Sequence, residues 1–180
     1  NVINLVDWKS IKITKNLIKY EKDGMSSTLN GIAQGYITDK ISEYLINSGI
    51  NNTLVQLGEY RGIGDHPDGR PWRLLISNPE YTESVGEIEF TNAAVATSAG
   101  LGTPFDLSGK YHHIFDPKNG QNANKHAQVS VLAKTAAEAD ALATAFLVMD
   151  QNKSKKIATK LKVGFEFLDN QRKRNIITSL

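Results

Sequence analysis

Lys110-Tyr-His-His-Ile-Phe-Asp-Pro-Lys-Asn-Gly120 places two histidines just before an Asp-Pro turn, directly after the Ser108-Gly109 turn. The run reads as a strand over 111–115. Asp116-Pro117 ends it, because proline has no N–H for a ladder and restricts the residue before it. Neighbouring strand side chains point to opposite faces, so only one of His112 and His113 can enter a given pocket. A histidine at a strand end beside a carboxylate, here Asp116, is one way to set an acid–base group at the mouth of a sheet. Taken alone, the pair reads more readily as exposed or hydrogen-bonded structural histidines.

Outward from this stretch the chain alternates hairpins and helices. Ile11 to Thr14 and Leu17 to Tyr20 flank Lys15-Asn16 and read as a β-hairpin. Val6-Asp7-Trp8 reads as the start of an edge element. Ser26 to Asn30 offers several N-cap side chains to a helix over Gly31–Ser48 that Gly49 stops. Ile32, Tyr36, Ile37, Ile41, Tyr44 and Leu45 form its apolar stripe, the face expected to be buried. Strands are expected over Asn52–Leu57, within Gly58–Gly64, and over Trp72–Ser77, Glu87–Thr91, Asn92–Ser98, Ala127–Ala133 and Gly164–Leu168. A last strand is expected to run to Leu180. Ala136 to Met149 reads as a helix burying Ala139, Leu142, Ala143, Phe146 and Leu147, and Lys153 to Leu161 as a short basic helix. With no linker or repeat, the expectation is one α+β domain over 1–180, with mixed, largely antiparallel sheets packed by helices.

Composition excludes several functions. A net charge of +2 is too small to argue for nucleic acid, and no nucleic-acid-binding motif is present. With no cysteine, thiolate chemistry, disulfides and Cys-based metal sites are absent, which is compatible with the periplasm. No apolar run approaches the roughly 20 residues of a spanning helix. Hydrophobic residues make up 40% of the 180, enough for one buried core. Lys153-Ser-Lys-Lys156 and Gln171-Arg-Lys-Arg174 read as solvated faces, and Trp8 and Trp72 as packing residues.

Asp140 and Thr144 stand four apart inside an apolar helix, so both oxygens can meet one ion, and hard oxygen ligands suit magnesium. Spacing alone favours the plainer alternative: a carboxylate turned to solvent and a threonine bonded back into its helix. Gly31-Ile-Ala-Gln-Gly35 opens a helix, where exposed N–H groups and small residues let a phosphate or another helix come close. Glu59 reads equally as a polar ligand or as the ion-pair partner of Arg61. The hydroxyls of Thr97 and Ser98 suit a ligand edge or a buried strand.

In this order, Gly31-Ile-Ala-Gln-Gly35, Ala96-Thr-Ser-Ala99, the 110–120 stretch and Ala139-Asp-Ala-Leu-Ala-Thr144 resemble the FAD:protein FMN transferase family (ApbE family). Its members move FMN from FAD to a threonine or serine hydroxyl of another protein. The resemblance runs from about Val6 to Leu180. Leu29-Asn-Gly-Ile-Ala-Gln-Gly35, Leu57-Gly-Glu59, and Thr97-Ser-Ala99 with Gly102-Thr103 look most similar to the branch accessory to nitrous oxide respiration (NosX-like).

The resemblance implies an ApbE-like, T-fold-like fold, with this chain its C-terminal part and the family's N-terminal part preceding Asn1. It implies FAD contacts at Gly31, Ile32, Ala33, Gln34, Glu59, Thr97, Ser98 and His113. It implies Mg²⁺ ligands at Asp140, Thr144 and the Ala33 carbonyl. His113 would be the base near the reacting phosphate, with Asp116 orienting it or stabilising the turn. The implied partner is an acceptor flavoprotein, exported or membrane-bound and tied to nitrous oxide respiration. The implied location is periplasmic or membrane-anchored. The chain departs from the family pattern Asp-Leu-Gly-Gly-Ile-Ala-Lys-Gly, with Thr28, Asn30 and Gln34 at the places of the Asp, the Gly after Leu and the Lys. Glu59 follows one glycine where the family has Gly-Gly-Asp or Gly-Gly-Asn, and Ala99 replaces a glycine. These departures leave a second expectation open: an FAD-binding accessory or carrier module for nitrous oxide reductase maturation, without efficient transfer.

Overall fold

A computed structural model describes residues 2–106 and 110–178. Its centre is a six-stranded antiparallel sheet with the order β10-β9-β8-β7-β4-β3. The strands are β3 (Thr53–Gln56), β4 (Tyr60–Ile63), β7 (Ala94–Ala99), β8 (Gln128–Ala133), β9 (Gly164–Leu168) and β10 (Arg174–Thr178). β1 (Ile11–Ile13) pairs with β2 (Ile18–Tyr20), and β5 (Trp72–Ser77) with β6 (Ser84–Phe90), as separate hairpins. The helices are α1 (Ala33–Asn47), α2 (Ala136–Val148) and α3 (Gln151–Leu161). The fold is α+β, as expected.

Strand alternation builds two cores on the central sheet. Ala94 and Ala96 of β7 and Val131 and Ala133 of β8 face Ala136, Ala139, Ala143 and Phe146 of α2. Val95, whose register partner is Leu132, faces the other way and packs with Leu74 and Phe90 of the β5–β6 hairpin. The sheet is thus sandwiched between helices and a hairpin. Arg174 ties the hairpin down, bonding Glu166 at 2.6 Å and the Glu87 carbonyl at 2.9 Å.

Four expectations are corrected. The apolar stripe of α1 is not its buried face: Ile32, Tyr36, Ile37, Ile41 and Tyr44 are exposed, while Gly35, Thr38 and Ser42 are buried. α1 crosses α2 so closely that small residues must form the contact. Second, 111–115 is no strand. His112 bridges only to Pro104 and Phe115 only to Asn122, and a proline partner cannot extend a ladder. Third, Val6-Asp7-Trp8 begins no edge strand: Val6 and Asp7 lie between two short 3-10 turns, Val2–Leu5 and Trp8–Ser10, and Trp8 is 79% exposed instead of packed. Fourth, α1 has no side-chain cap. Ile32 occupies its N-cap, and Thr28 accepts the Asn30 N–H instead. The expected Ser108-Gly109 turn and the end of the last strand at 179–180 lie outside the described residues.

Candidate functional site

A cleft of about 1280 Å³ opens where the ends of β4 and β7 meet α1, α2 and the 112–118 loop. That exceeds the roughly 300–1,000 Å³ usual for a small-ligand pocket, so a dinucleotide-sized ligand is accommodated. Five separate segments line it: Gly31 and Gln34, Glu59, Thr97 and Ser98, His113 with Asp116, and Asp140 with Thr144. Ile32 and Ala33, also expected here, are not among the lining residues. Ile32 is exposed and Ala33 half-buried at the first residue of α1.

Gly35 and Gly58 make this convergence sterically possible. A Cβ on Gly35 would fall inside van der Waals contact with the Ala136 carbonyl and 2.7 Å from Ala137 Cα. Without one, α1 lies on the first turn of α2, and the Gly35 N–H donates to Asp140 Oδ2 at 3.0 Å. Asp39, one turn further along α1, accepts the Ala136 and Ala137 N–H groups at 2.8 and 2.9 Å and so caps α2. Gly58 has φ +103°, and a Cβ there would strike the Gln34 side chain at 2.7 Å. Gln34 therefore lies against the backbone turn that delivers Glu59.

Glu59 does not pair with Arg61, which overturns that alternative. Arg61 Nη1 lies 2.7 Å from Asp39 Oδ1 instead. Glu59 stands in the turn before β4, outside the strand's alternation, and is 7% exposed. Burial, and then the nearby charge of Asp140, push its carboxyl from an ordinary 4.5 up to about 7, against a lowering backbone hydrogen bond from Thr97. Burial also pushes Asp140 up, against the Gly35 N–H. Asp140 is thus not turned to solvent. Thr144 Oγ1 meets Ser98 Oγ across the β7–α2 interface at 3.1 Å. Thr97, on the opposite strand face, meets Ser130 Oγ at 2.9 Å.

A raised carboxyl pKa means that the folded state binds protons more tightly than the unfolded chain. The resulting penalty is absent below about 4.5, grows as pH rises, and is complete above about 7. Glu59→Gln removes it. The variant is expected to exceed the parent in stability by on the order of 2 kcal/mol at pH 8, the difference shrinking as pH falls and vanishing only below about 4.5. Denaturant melts across that range, without divalent cations or FAD, check this. A pH-independent difference would show that burial does not perturb Glu59.

His112 and His113 do face different surroundings, although no strand separates them. His112 is buried; its Nε2–H donates to the Ala123 carbonyl at 2.9 Å, and its Nδ1 accepts the Ile114 N–H at 3.3 Å. His113 is exposed at the cleft, and its Nδ1–H donates to the Thr103 carbonyl at 3.3 Å. That bond makes Nε2 the ring's acceptor. Asp116 accepts the Lys118 N–H at 3.0 Å within its own turn. Its role in the structure is therefore to stabilise the turn, and no hydrogen bond from it to His113 is seen.

No cluster of three or more His, Cys, Asp or Glu side chains occurs among the described residues. The donors present are nonetheless all oxygen: the Asp140 carboxylate, the Glu59 carboxylate whose proton affinity Asp140 raises, and the hydroxyls of Thr144 and Ser98. Such a set fits a hard divalent cation that takes its remaining ligands from water, backbone carbonyls or phosphate. Asp39 and Arg61, which fix the α1–α2 joint, carry no local sequence signal, because their partners are remote along the chain.

The ApbE family profile matches residues 1–168. The FAD:protein FMN transferase of Vibrio cholerae serotype O1 is 38% identical over 135 residues, covering 72% of this chain and 40% of that protein. The Haemophilus influenzae protein of the same name is 34% identical over 140 residues, covering 73% and 40%. Among solved structures, flavin transferase ApbE from Vibrio cholerae superposes with a TM-score of 0.84 at 29% identity, over 98% of this chain and 59% of that one. The ApbE protein of Thermotoga maritima gives 0.89 at 27%, over 97% and 59%. Matches to these curated relatives thus span 40% of their length. On the extent of the profile match and the shared architecture, this chain belongs to the ApbE family.

Proposed function

We propose that this chain carries the reacting half of a site that transfers FMN from FAD to a threonine or serine hydroxyl of an acceptor protein, releasing AMP. The observation that carries the reading is the convergence of Gly31, Gln34, Glu59, Thr97, Ser98, His113, Asp140 and Thr144 on one dinucleotide-sized cleft. The names of the relatives support the reaction class. In this reading the acceptor oxygen bonds to the FMN phosphorus of FAD as the P–O bond to AMP breaks, the bonding pair leaving with AMP. His113 Nε2 accepts the hydroxyl proton, its tautomer held by Thr103. Bound Mg²⁺, held by Asp140 and Thr144 and, as the family resemblance implies, the Ala33 carbonyl, would supply charge neutralisation at the pyrophosphate. Gln34 offers a hydrogen bond, without charge assistance, where the family has lysine.

His113→Ala is expected to slow transfer on the order of 10²-fold, the low end for a positioned base, because the ring is exposed. FAD affinity should hold within about twofold. Single-turnover transfer and FAD titration of the full-length protein separate the two quantities, and unchanged turnover would remove His113 as the base.

Gln34 and Glu59 favour a second reading, an FAD-holding accessory module. Intact mass decides between them. An acceptor that gains FMN with AMP formed, and loses that activity on chelation, supports the transferase. Stoichiometric FAD retention with no acceptor labelled supports the module. The segments around Gly31, Glu59 and Thr97 support placing the acceptor in nitrous oxide respiration, and the family resemblance supports an exported or membrane-anchored protein.

A further inference from the structure

Asp39 joins three elements that the cleft needs together. From α1 its carboxylate accepts the Ala136 and Ala137 N–H groups at the first turn of α2, and its Oδ1 also accepts Arg61 Nη1 of β4 at 2.7 Å. The next N–H of α2, on Glu138, goes to Thr135 Oγ1 at 3.2 Å. One turn back along α1, the Gly35 N–H donates to Asp140 Oδ2. Gly35 and Asp39 stand one turn apart on α1, as Ala136 and Asp140 do on α2. The helices are thus latched at two points, which fixes both the slide and the rotation of one on the other. At its third end the joint reaches β4 two residues after Glu59. Arg61 is the register partner of Ala94, which faces α2, so its guanidinium enters the helix layer. The Arg61 and Asp39 side chains are 20% and 12% exposed, and Arg61 Nε is buried with no partner among the described residues. Desolvation offsets much of the attraction in a pair this buried, so its main effect is on geometry. The N-terminus of α2 carries a partial positive charge, and Asp39 stands between it and the Arg61 cation. Without that carboxylate two like charges would face each other, and the α2 turn before Asp140 would part from the strand after Glu59.

We propose that Asp39 and Arg61 are positioning residues that hold Asp140 at a fixed offset from Glu59, so that a divalent cation meets its ligands already in place; the inference rests on the cation site of the transferase reading above. Neither residue is among the described residues that line the cleft. Both act through others: Asp39 through the first turn of α2, Arg61 through the strand that follows Glu59. Because the Gly35 N–H engages Oδ2 of Asp140, Oδ1 is the oxygen left for the cation, and its placement follows the latch between the helices.

The test uses the full-length protein with FAD, Mg²⁺ and a threonine-bearing acceptor domain, and Mn²⁺ as a spectroscopic probe. Asp39→Asn keeps the size and one acceptor oxygen but loses the charge, and Arg61→Gln loses the cation. Each is expected to raise two quantities by about tenfold, the low end for groups that orient metal ligands. One is the Mg²⁺ concentration for half-maximal transfer. The other is the Mn²⁺ Kd, read by electron paramagnetic resonance with FAD bound and no acceptor. FAD affinity without divalent cation should stay within about twofold. The double variant should be no worse than the worse single, because the two residues act as a unit. Arg61→Lys keeps the charge without the planar fork and should shift both quantities by about threefold. Phe167→Leu, in β9 and three strands from β4, loses core packing and should melt lower with the parent's cation affinity. If Asp39→Asn and Arg61→Gln melt lower but bind Mn²⁺ as the parent does, the joint is only structural and the proposal falls while the transferase stands. Should neither fold, Arg61→Lys at the parent's cation affinity overturns it equally. A parent that binds no Mn²⁺ overturns it together with the cation site. A parent that binds FAD and Mn²⁺ but labels no acceptor overturns the transferase alone, and the Mn²⁺ isotherms still decide on the pair.

Discussion

The Asp140→Asn protein is expected to lose FMN transfer on the order of 10²–10³-fold while keeping its fold. The carboxylate is buried on the inner side of α2, one helical turn from Thr144, at the base of the cleft. Asparagine keeps an oxygen that accepts the Gly35 N–H, so the joint between α1 and α2 persists. What disappears is the charge. Burial already pushes Asp140 up, so a neutral side chain should leave melting unchanged or slightly higher. Glu59 should then titrate closer to its ordinary value, because a like charge beside it is gone. Intact acceptor mass with AMP release, read beside a thermal melt, checks both halves. Undiminished transfer would remove Asp140 from the cation and phosphate site. A collapsed melt would make its role structural.

Gly35→Ala is expected to cost about 3 kcal/mol of stability, the upper end for overpacking. The added Cβ meets α2 backbone at Ala136 and Ala137, and no rotamer relieves backbone against backbone. α1 must then move away, which lengthens the 3.0 Å bond to Asp140 and loosens the Asp39 cap on α2. FAD affinity should fall with stability. Gly31→Ala is the control, since its Cβ would meet only Thr144 side-chain atoms at 3.8–4.0 Å, ordinary contact. Chemical denaturation and FAD titration of both proteins test this, and a Gly35→Ala protein as stable as the parent would contradict the close crossing.

Elements whose signal is local were legible in the sequence. The run Trp72–Ser77, the alternation through β8 and the alanine-rich α2 each declare their period within a few residues. Gly49 ends α1 at φ +87°, as a helix-stop glycine does. The segments that line the cleft were legible too, because each carries its own motif. The buried side of α1 was not. Periodicity located the apolar stripe, but the face that packs was chosen by how near α2 comes, and that favoured Gly35, Thr38 and Ser42. The 111–115 segment misled for a similar reason: its alternation is real, but its partner at Pro104 cannot carry a ladder.

By itself, then, the sequence determined the α+β class, the family, and the residue types available for phosphate chemistry, since these rest on local pattern and ordered motifs. Only the tertiary structure decided which groups meet. It brought Gly35 to Asp140 across 105 residues, gave Arg61 to Asp39 instead of Glu59, and buried Glu59 beside a second carboxylate. It also gave His112 and His113 different surroundings. Such pairings depend on the crossing of elements remote in the chain, and burial and electric field exist only once those elements have packed.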